Sequence, residues 1–223
     1  MKKRPAISWL FAALFSVAAF AQPADAFRDE AAAQYRRILG GLSAKGKLDE
    51  EQAVLDRMRR VSRGLIIAAA EARPETAAWE WEVHVTSDAS TGAFCMAGGK
   101  ILVGSELVRR LGLSDGELAM LLGHEIAHAV AGHRREVSRA GMESDPAQEI
   151  RLAEIAVMQE NEADRIGMRL AYRAGWPASS LVSFYEKLAA QETPGTFNSS
   201  HPSAASRVAF ARAMAEELGR QAR

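Results

Sequence analysis

The chain is short of several things, and each shortage excludes something. Its 223 residues include one cysteine, Cys95, so no internal disulfide can staple it, and a lone cysteine in an oxidising compartment is expected to be buried and inert. Its formal net charge is zero, from 28 basic and 28 acidic residues scattered without a polybasic run, which argues against nucleic acid or anionic lipid as the main partner. Long apolar runs are missing too. Beyond residue 21 no stretch approaches the roughly 20 residues of a transmembrane helix.

The early apolar run, Ala6 to Ala21, follows Lys2, Lys3 and Arg4 and closes on Ala19-Phe20-Ala21, with a second small-residue triplet at Ala24-Asp25-Ala26. This is the layout of a secretory signal peptide over 1–21, with cleavage as late as 26. A membrane-anchoring helix competes, but sixteen residues are short for a span. Cleavage after Ala21 leaves 202 residues and takes the formal charge from zero to minus three, so 27–223 is expected to form one domain. A soluble, exported chain of this kind is expected in a bacterial periplasm.

What the sequence does contain is centred on Leu118 to Ala131. Only His124, Glu125 and His128 are ionisable there, so the stretch predicts a helix that is apolar on every side and buried. Interiors tolerate titratable groups when they are paired or bound to metal. The pattern is H-E-x-x-H, which puts both histidines on one face, one turn apart, where they can grip one zinc ion from the same side. Glu125 between them is left to polarise a water. Two satisfied core histidines are the bland alternative, but they would leave Glu125 buried and unpaired. Leu113-Ser114-Asp115-Gly116-Glu117 supplies a capping box that fixes where this helix starts. His133 lies five residues past His128, at a polar helix end, and is expected to be a solvated cation.

Around that helix, 28–45 and 48–73 read as helices, and Trp79 to Thr86 alternates as a half-buried strand with His84 on the outer, solvated side. Ala93 to Met96 and Lys100 to Val103 read as a hairpin joined by Ala97-Gly98-Gly99, close before the metal helix. Glu106 to Leu111 reads as a short helix, and Gly141 to Gln148 as a loop. Glu149 to Ala174 then forms a long helix ended by Gly175 and Pro177. In it Glu160 shares a face with Ala156, Ala163, Asp164, Gly167 and Ala171, small enough to let two helices approach closely. That face can bring Glu160 to the zinc as third ligand, while Asp164 reaches a ligand histidine and holds its tautomer. Glu162 points to solvent. A solvated acidic face is the competing reading. The last helix is expected over Ser203 to Leu218. The fold class is α+β, mainly helical, with a small antiparallel sheet packed beside the zinc-binding helix.

H-E-x-x-H, then Glu160-Asn161-Glu162-Ala163-Asp164-Arg165-Ile166-Gly167, then His201-Pro202-Ser203 with Arg207, together resemble the zinc metallopeptidase family that includes the CaaX prenyl protease, HtpX and BepA. The stretch Ala93 to Ile101 is similar to that family's strand before the metal helix, and the match runs over about residues 80 to 212. The resemblance implies a gluzincin-type endopeptidase holding one zinc per chain through His124, His128 and Glu160, with Glu125 as base. It also implies a place for His201 near the zinc, as a resting-state plug in the water's position or as a hydrogen-bond donor to the tetrahedral intermediate. Arg207 would neutralise charge on that intermediate or on a substrate carboxylate. The chain departs from the family at Gly92, where Asn is frequent, and at Cys95. It is similar to small secreted members, whose implied work is quality control of envelope proteins, with contact to outer-membrane proteins.

The expected function is therefore zinc-dependent cleavage of unfolded or misassembled envelope proteins, bound as extended polypeptides along the hairpin edge. The rival is a periplasmic holdase with a purely structural zinc. Hydrolysis of a non-peptide amide has no support from a small-molecule or glycan pocket signature.

Overall fold

The computed structural model describes residues 24–133, 146–191 and 204–221. The expected signal peptide over 1–21 and His201 lie outside them. Among the described residues the elements run α1 (Ala24–Ala44), α2 (Gln52–Ala72), a 3-10 turn (Pro74–Ala78), β1 (Glu82–Thr86), β2 (Ala93–Met96), β3 (Lys100–Gly104), α3 (Ser105–Arg110), α4 (Asp115–Val130), α5 (Pro146–Arg173), α6 (Ala178–Gln191) and α7 (Ala204–Gln221). The mainly helical α+β class is thus found. No helix of the described residues is long and apolar enough to cross a membrane.

The sheet differs from the expected antiparallel one. Its strand order is β1-β3-β2, with β3 parallel to β1 and antiparallel to β2, so it is mixed. The chain reverses between β1 and β2 without pairing them, and β3 enters the gap. The two faces of β3 serve two cores. Ile101 and Val103 join the main cluster with Leu118, Leu122 and Ile126 of α4, whereas Leu102 packs on the other face with Tyr35 and Leu42 of α1. Tyr35 donates its hydroxyl to the Ile101 carbonyl at 2.6 Å, and burial, with help from nearby carboxylates, pushes its phenol well up.

This second layer corrects the reading of His84. Alternation puts it on the polar side of β1, but α1 covers that side, and the imidazole is half-buried with Nδ1 2.6 Å from Asp49 Oδ2. The sequence places Trp79 to Trp81 in the strand, yet it starts only at Glu82, because Pro74 opens a 3-10 turn just before it. Helix α6 was not foreseen at all. Its signal is present, since Leu181, Phe184 and Tyr185, buried at helical spacing, follow directly after Pro177.

Helix α4 is the central rod, with every residue from Gly116 to Val130 buried. The capping box is formed as expected: Ser114 Oγ accepts from the Glu117 amide, and Glu117 Oε2 accepts from the Ser114 amide at 2.7 Å. Glu117 also ties α4 to the unforeseen α6, accepting from Ser183 Oγ at 2.6 Å and from Lys187 Nζ at 2.7 Å. Burial pushes its carboxyl up, but the hydrogen bonds from Lys187, Ser183 and Ser114 outweigh this and hold it at about 2. A folded-state value below the unfolded one of 4.5 means stability that is complete above the unfolded value and disappears as pH falls through the folded one. Glu117→Gln is therefore expected to melt at lower temperature than wild type at neutral pH, and the difference should shrink between about pH 4.5 and 2. Melting curves across that range check it, and a gap that stays constant down to pH 2 would contradict the assignment.

Helix α5 crosses α4 at a point where neither carries a side chain. A Cβ added at Gly123 would come 2.8 Å from the Gly167 carbonyl oxygen, and one added at Gly167 would come 2.7 Å from the His124 amide nitrogen. Both obstacles are backbone, so a methyl at either position would force the helices apart. The small-residue face foreseen on α5 is buried at Ala163, Gly167 and Ala171, and this close crossing carries Glu160 and Asp164 to the histidines of α4.

Candidate metal centre

Three side chains from two helices converge in the middle of the α4–α5 crossing. His124 Nε2 lies 3.1 Å from His128 Nε2 and 3.3 Å from Glu160 Oε2, and His128 Nε2 lies 3.3 Å from Glu160 Oε1. These three are the one group among the described residues that could hold a metal ion, and all are buried. The spacing tests the fit. Ligand atoms at about 2.0–2.1 Å from a tetrahedral zinc stand roughly 3.3–3.4 Å apart; the two imidazole nitrogens at 3.1 Å are close to such an edge, and Glu160 offers one oxygen to each of them at 3.3 Å. The donor chemistry agrees: among the described residues Glu125, Glu160 and Asp164 are buried carboxylates beside the two imidazoles and the Arg207 guanidinium.

The field of these carboxylates is visible in the imidazoles. Burial pulls His124 down, but hydrogen bonds to Asp164 and Glu160 outweigh it and raise it to about 9. His128 is pulled down by its burial, which a hydrogen bond to Glu160 only partly offsets. The cationic form of His124 is thus favoured between two carboxylates, at the place where a metal cation would replace the proton.

Behind His124 the support is a buried ionic network. Asp164 Oδ1 accepts from His124 Nδ1 at 2.8 Å, from the Tyr185 hydroxyl at 2.6 Å and from Arg207 Nη2 at 2.6 Å, while Oδ2 accepts from Arg207 Nε at 2.8 Å. The guanidinium also stacks over the Tyr185 ring, 4.8 Å from its centroid. Burial pushes the Asp164 carboxyl up, but His124 and Arg207 overcome this and hold it at about 2. Burial pushes the Tyr185 phenol up, with the Asp164 charge adding to it.

This geometry corrects the direction expected for Arg207. The sequence aimed it at substrate or at charge on the intermediate, whereas its guanidinium turns inward, because Asp164 presents both oxygens to its planar fork. Tyr185 was missed because it sits on the unforeseen α6. His133 is corrected as well: its side chain is 6% exposed, not solvated, and its Nδ1 lies 2.9 Å from His128 Nδ1. Glu162, as expected, is exposed, and its Oε2 lies 3.3 Å from His133 Nε2. Cys95, as expected, forms no disulfide and is buried on β2.

Comparison with known proteins agrees with this centre. The model of peptidase family M48 matches residues 55–215, a span that includes both helices of the centre. The chain is 32% identical over 192 residues to the mitochondrial metalloendopeptidase OMA1 of Arabidopsis thaliana, covering 76% of this chain and 39% of the relative. It is 30% identical over 152 residues to the protein of the same name from Schizosaccharomyces pombe, covering 58% and 45%. The Saccharomyces cerevisiae one is 30% identical over 157 residues, again 58% and 45%. The chain thus spans less than half the length of each. These relatives overturn the periplasmic placement, since all three are named as mitochondrial proteins. Contact with outer-membrane proteins rested on that placement and falls with it.

Proposed function

Since the chain belongs to peptidase family M48, we propose that it is a zinc-dependent endopeptidase acting on unfolded or extended polypeptides, with zinc held by His124, His128 and Glu160. The observation that carries this reading is the buried cluster of His124, His128 and Glu160, with the two Nε2 atoms 3.1 Å apart and one Glu160 oxygen 3.3 Å from each. Two imidazoles and one carboxylate are the donor set of catalytic zinc sites that keep a position open, whereas structural sites have four protein ligands. When bound, zinc supplies a Lewis acid that polarises the scissile carbonyl and lowers the pKa of water toward about 7.

The residues divide the remaining work. Glu125, buried next to His124, is the general base: its carboxylate takes a proton from the attacking water and delivers it to the leaving amine, so that water and the amide bond become a carboxylate and an amine. Asp164 holds the proton of His124 on Nδ1 and leaves Nε2 to ligate. Arg207 and Tyr185 fix Asp164 in turn. Substrate is taken up as an added strand on β2, whose outer edge carries no strand among the described residues and which lies against α4. Main-chain pairing of this kind reads little sequence and suits unfolded chains.

Incubating the purified protein with casein tests the reading. Cleavage is expected, lost with a zinc chelator and regained with added zinc. Casein left intact by protein that holds its metal would refute the peptidase reading and favour a zinc-stabilised holdase.

A further inference from the structure

The two histidines of the centre are braced differently. His124 leans on a buried carboxylate, while the Nδ1 of His128 faces another imidazole, that of His133, at 2.9 Å. The local backbone explains how a residue beyond the helix end gets there. Helix α4 closes with Gly132 in the left-handed region at φ 72°. The His133 amide donates to the His128 carbonyl at 2.9 Å and the Gly132 amide to the Ala129 carbonyl at 3.2 Å, the two bonds of a Schellman motif. That reversal folds His133 back over the last turn and lays its ring on His128, with centroids 4.9 Å apart and planes at 71°.

Valence then dictates the protons. If His128 ligates through Nε2, which faces His124 and Glu160, its one proton sits on Nδ1 and is donated to His133 Nδ1. His133 must accept there, so its own proton sits on Nε2, which faces Glu162 Oε2 at 3.3 Å. With a proton on His133 Nδ1, His128 Nδ1 would have to accept, and its own proton would move to Nε2, where it blocks ligation. Metal binding and this arrangement therefore require each other.

We propose that His133, oriented by the Gly132 turn and by Glu162, is a positioning residue that selects the ligating tautomer of His128. The proposal rests on the reading of His128 as a zinc ligand. Its partner Glu162 is 53% exposed and contributes less than His133, because water can replace it.

Zinc affinity of the full chain, measured by competition with a chromophoric chelator, tests this without any turnover. His133→Ala should weaken zinc binding by roughly 10- to 100-fold, as loss of an outer partner of a metal ligand does. His133→Asn, whose amide oxygen takes the place of Nδ1, should recover most of it. Glu162→Ala should cost only a few-fold in wild type and nothing further in His133→Ala, because its effect passes through His133. In the zinc-loaded wild type, nitrogen-15 spectra of the histidines should find the His128 proton on Nδ1. Wild-type affinity in His133→Ala, failure of Asn to rescue it, independent losses in the double variant, or a His128 proton on Nε2 would each overturn the proposal. A wild type that binds zinc tightly but leaves casein intact would defeat the peptidase reading alone, and the affinity series would still decide this one.

Discussion

Glu125→Gln is expected to keep its zinc and its fold while losing peptidase turnover by roughly 100- to 10,000-fold, the contribution of a positioned general base. Gln has the same shape, so packing around α4, buried on every side, is preserved, and no ligand is lost. The amide cannot accept the proton of water at neutral pH. The loss should fall on kcat, with KM nearly unchanged, because the substrate pairing proposed for β2 does not involve Glu125. Turnover and zinc content measured on the same preparation check this. Turnover near wild type would remove Glu125 as base, and loss of zinc together with activity would make it a ligand instead.

Asp164→Ala has the largest expected effect on stability. The carboxylate accepts two hydrogen bonds from Arg207, one from Tyr185 and one from His124. Removing it leaves a guanidinium that is 7% exposed without the carboxylate that takes its hydrogen bonds, which costs about 3–5 kcal/mol. For a domain of this size that lowers the melting temperature by roughly 10 °C. Zinc binding should weaken by about 10- to 100-fold because His124 loses the group that fixes its tautomer. Asp164→Asn is expected to be milder, since its amide oxygen still accepts. In Asp164→Ala/Arg207→Met no charge is left behind, so part of the stability should return while the zinc defect stays. Thermal melts and chelator competition on the three variants check both halves. A melting temperature of Asp164→Ala within a degree or two of wild type would contradict the network.

The parts of this site that could be read from sequence are those whose signal is local. The capping box at Ser114 and Glu117, the apolar surround of His124, Glu125 and His128, and the small-residue face carrying Glu160 and Asp164 each follow from spacing within one helix. Relations between elements were harder. That β3 inserts between β1 and β2 is not encoded in the alternation of any strand, and the cover over His84 depends on α1, which is remote in sequence. His133 was misread because a polar helix end was taken as solvated, whereas the left-handed turn at Gly132 sends the chain back over His128. Arg207 was misread because its partner is decided by where α7 meets α5 and α6, and the Asp164–Tyr185 contact that receives it spans two helices.

X-ray absorption at the zinc edge, on the full chain and on Glu160→Ala, tests most directly whether His124, His128 and Glu160 are the metal's protein ligands. One zinc per chain is expected, with two imidazole nitrogens and a carboxylate oxygen at about 2.0–2.2 Å and no sulfur. Glu160→Ala should lose that oxygen and give up its zinc to a chelator that wild type resists. A sulfur scatterer, a closed shell of four protein ligands, or a Glu160→Ala spectrum and occupancy equal to wild type would contradict the assignment.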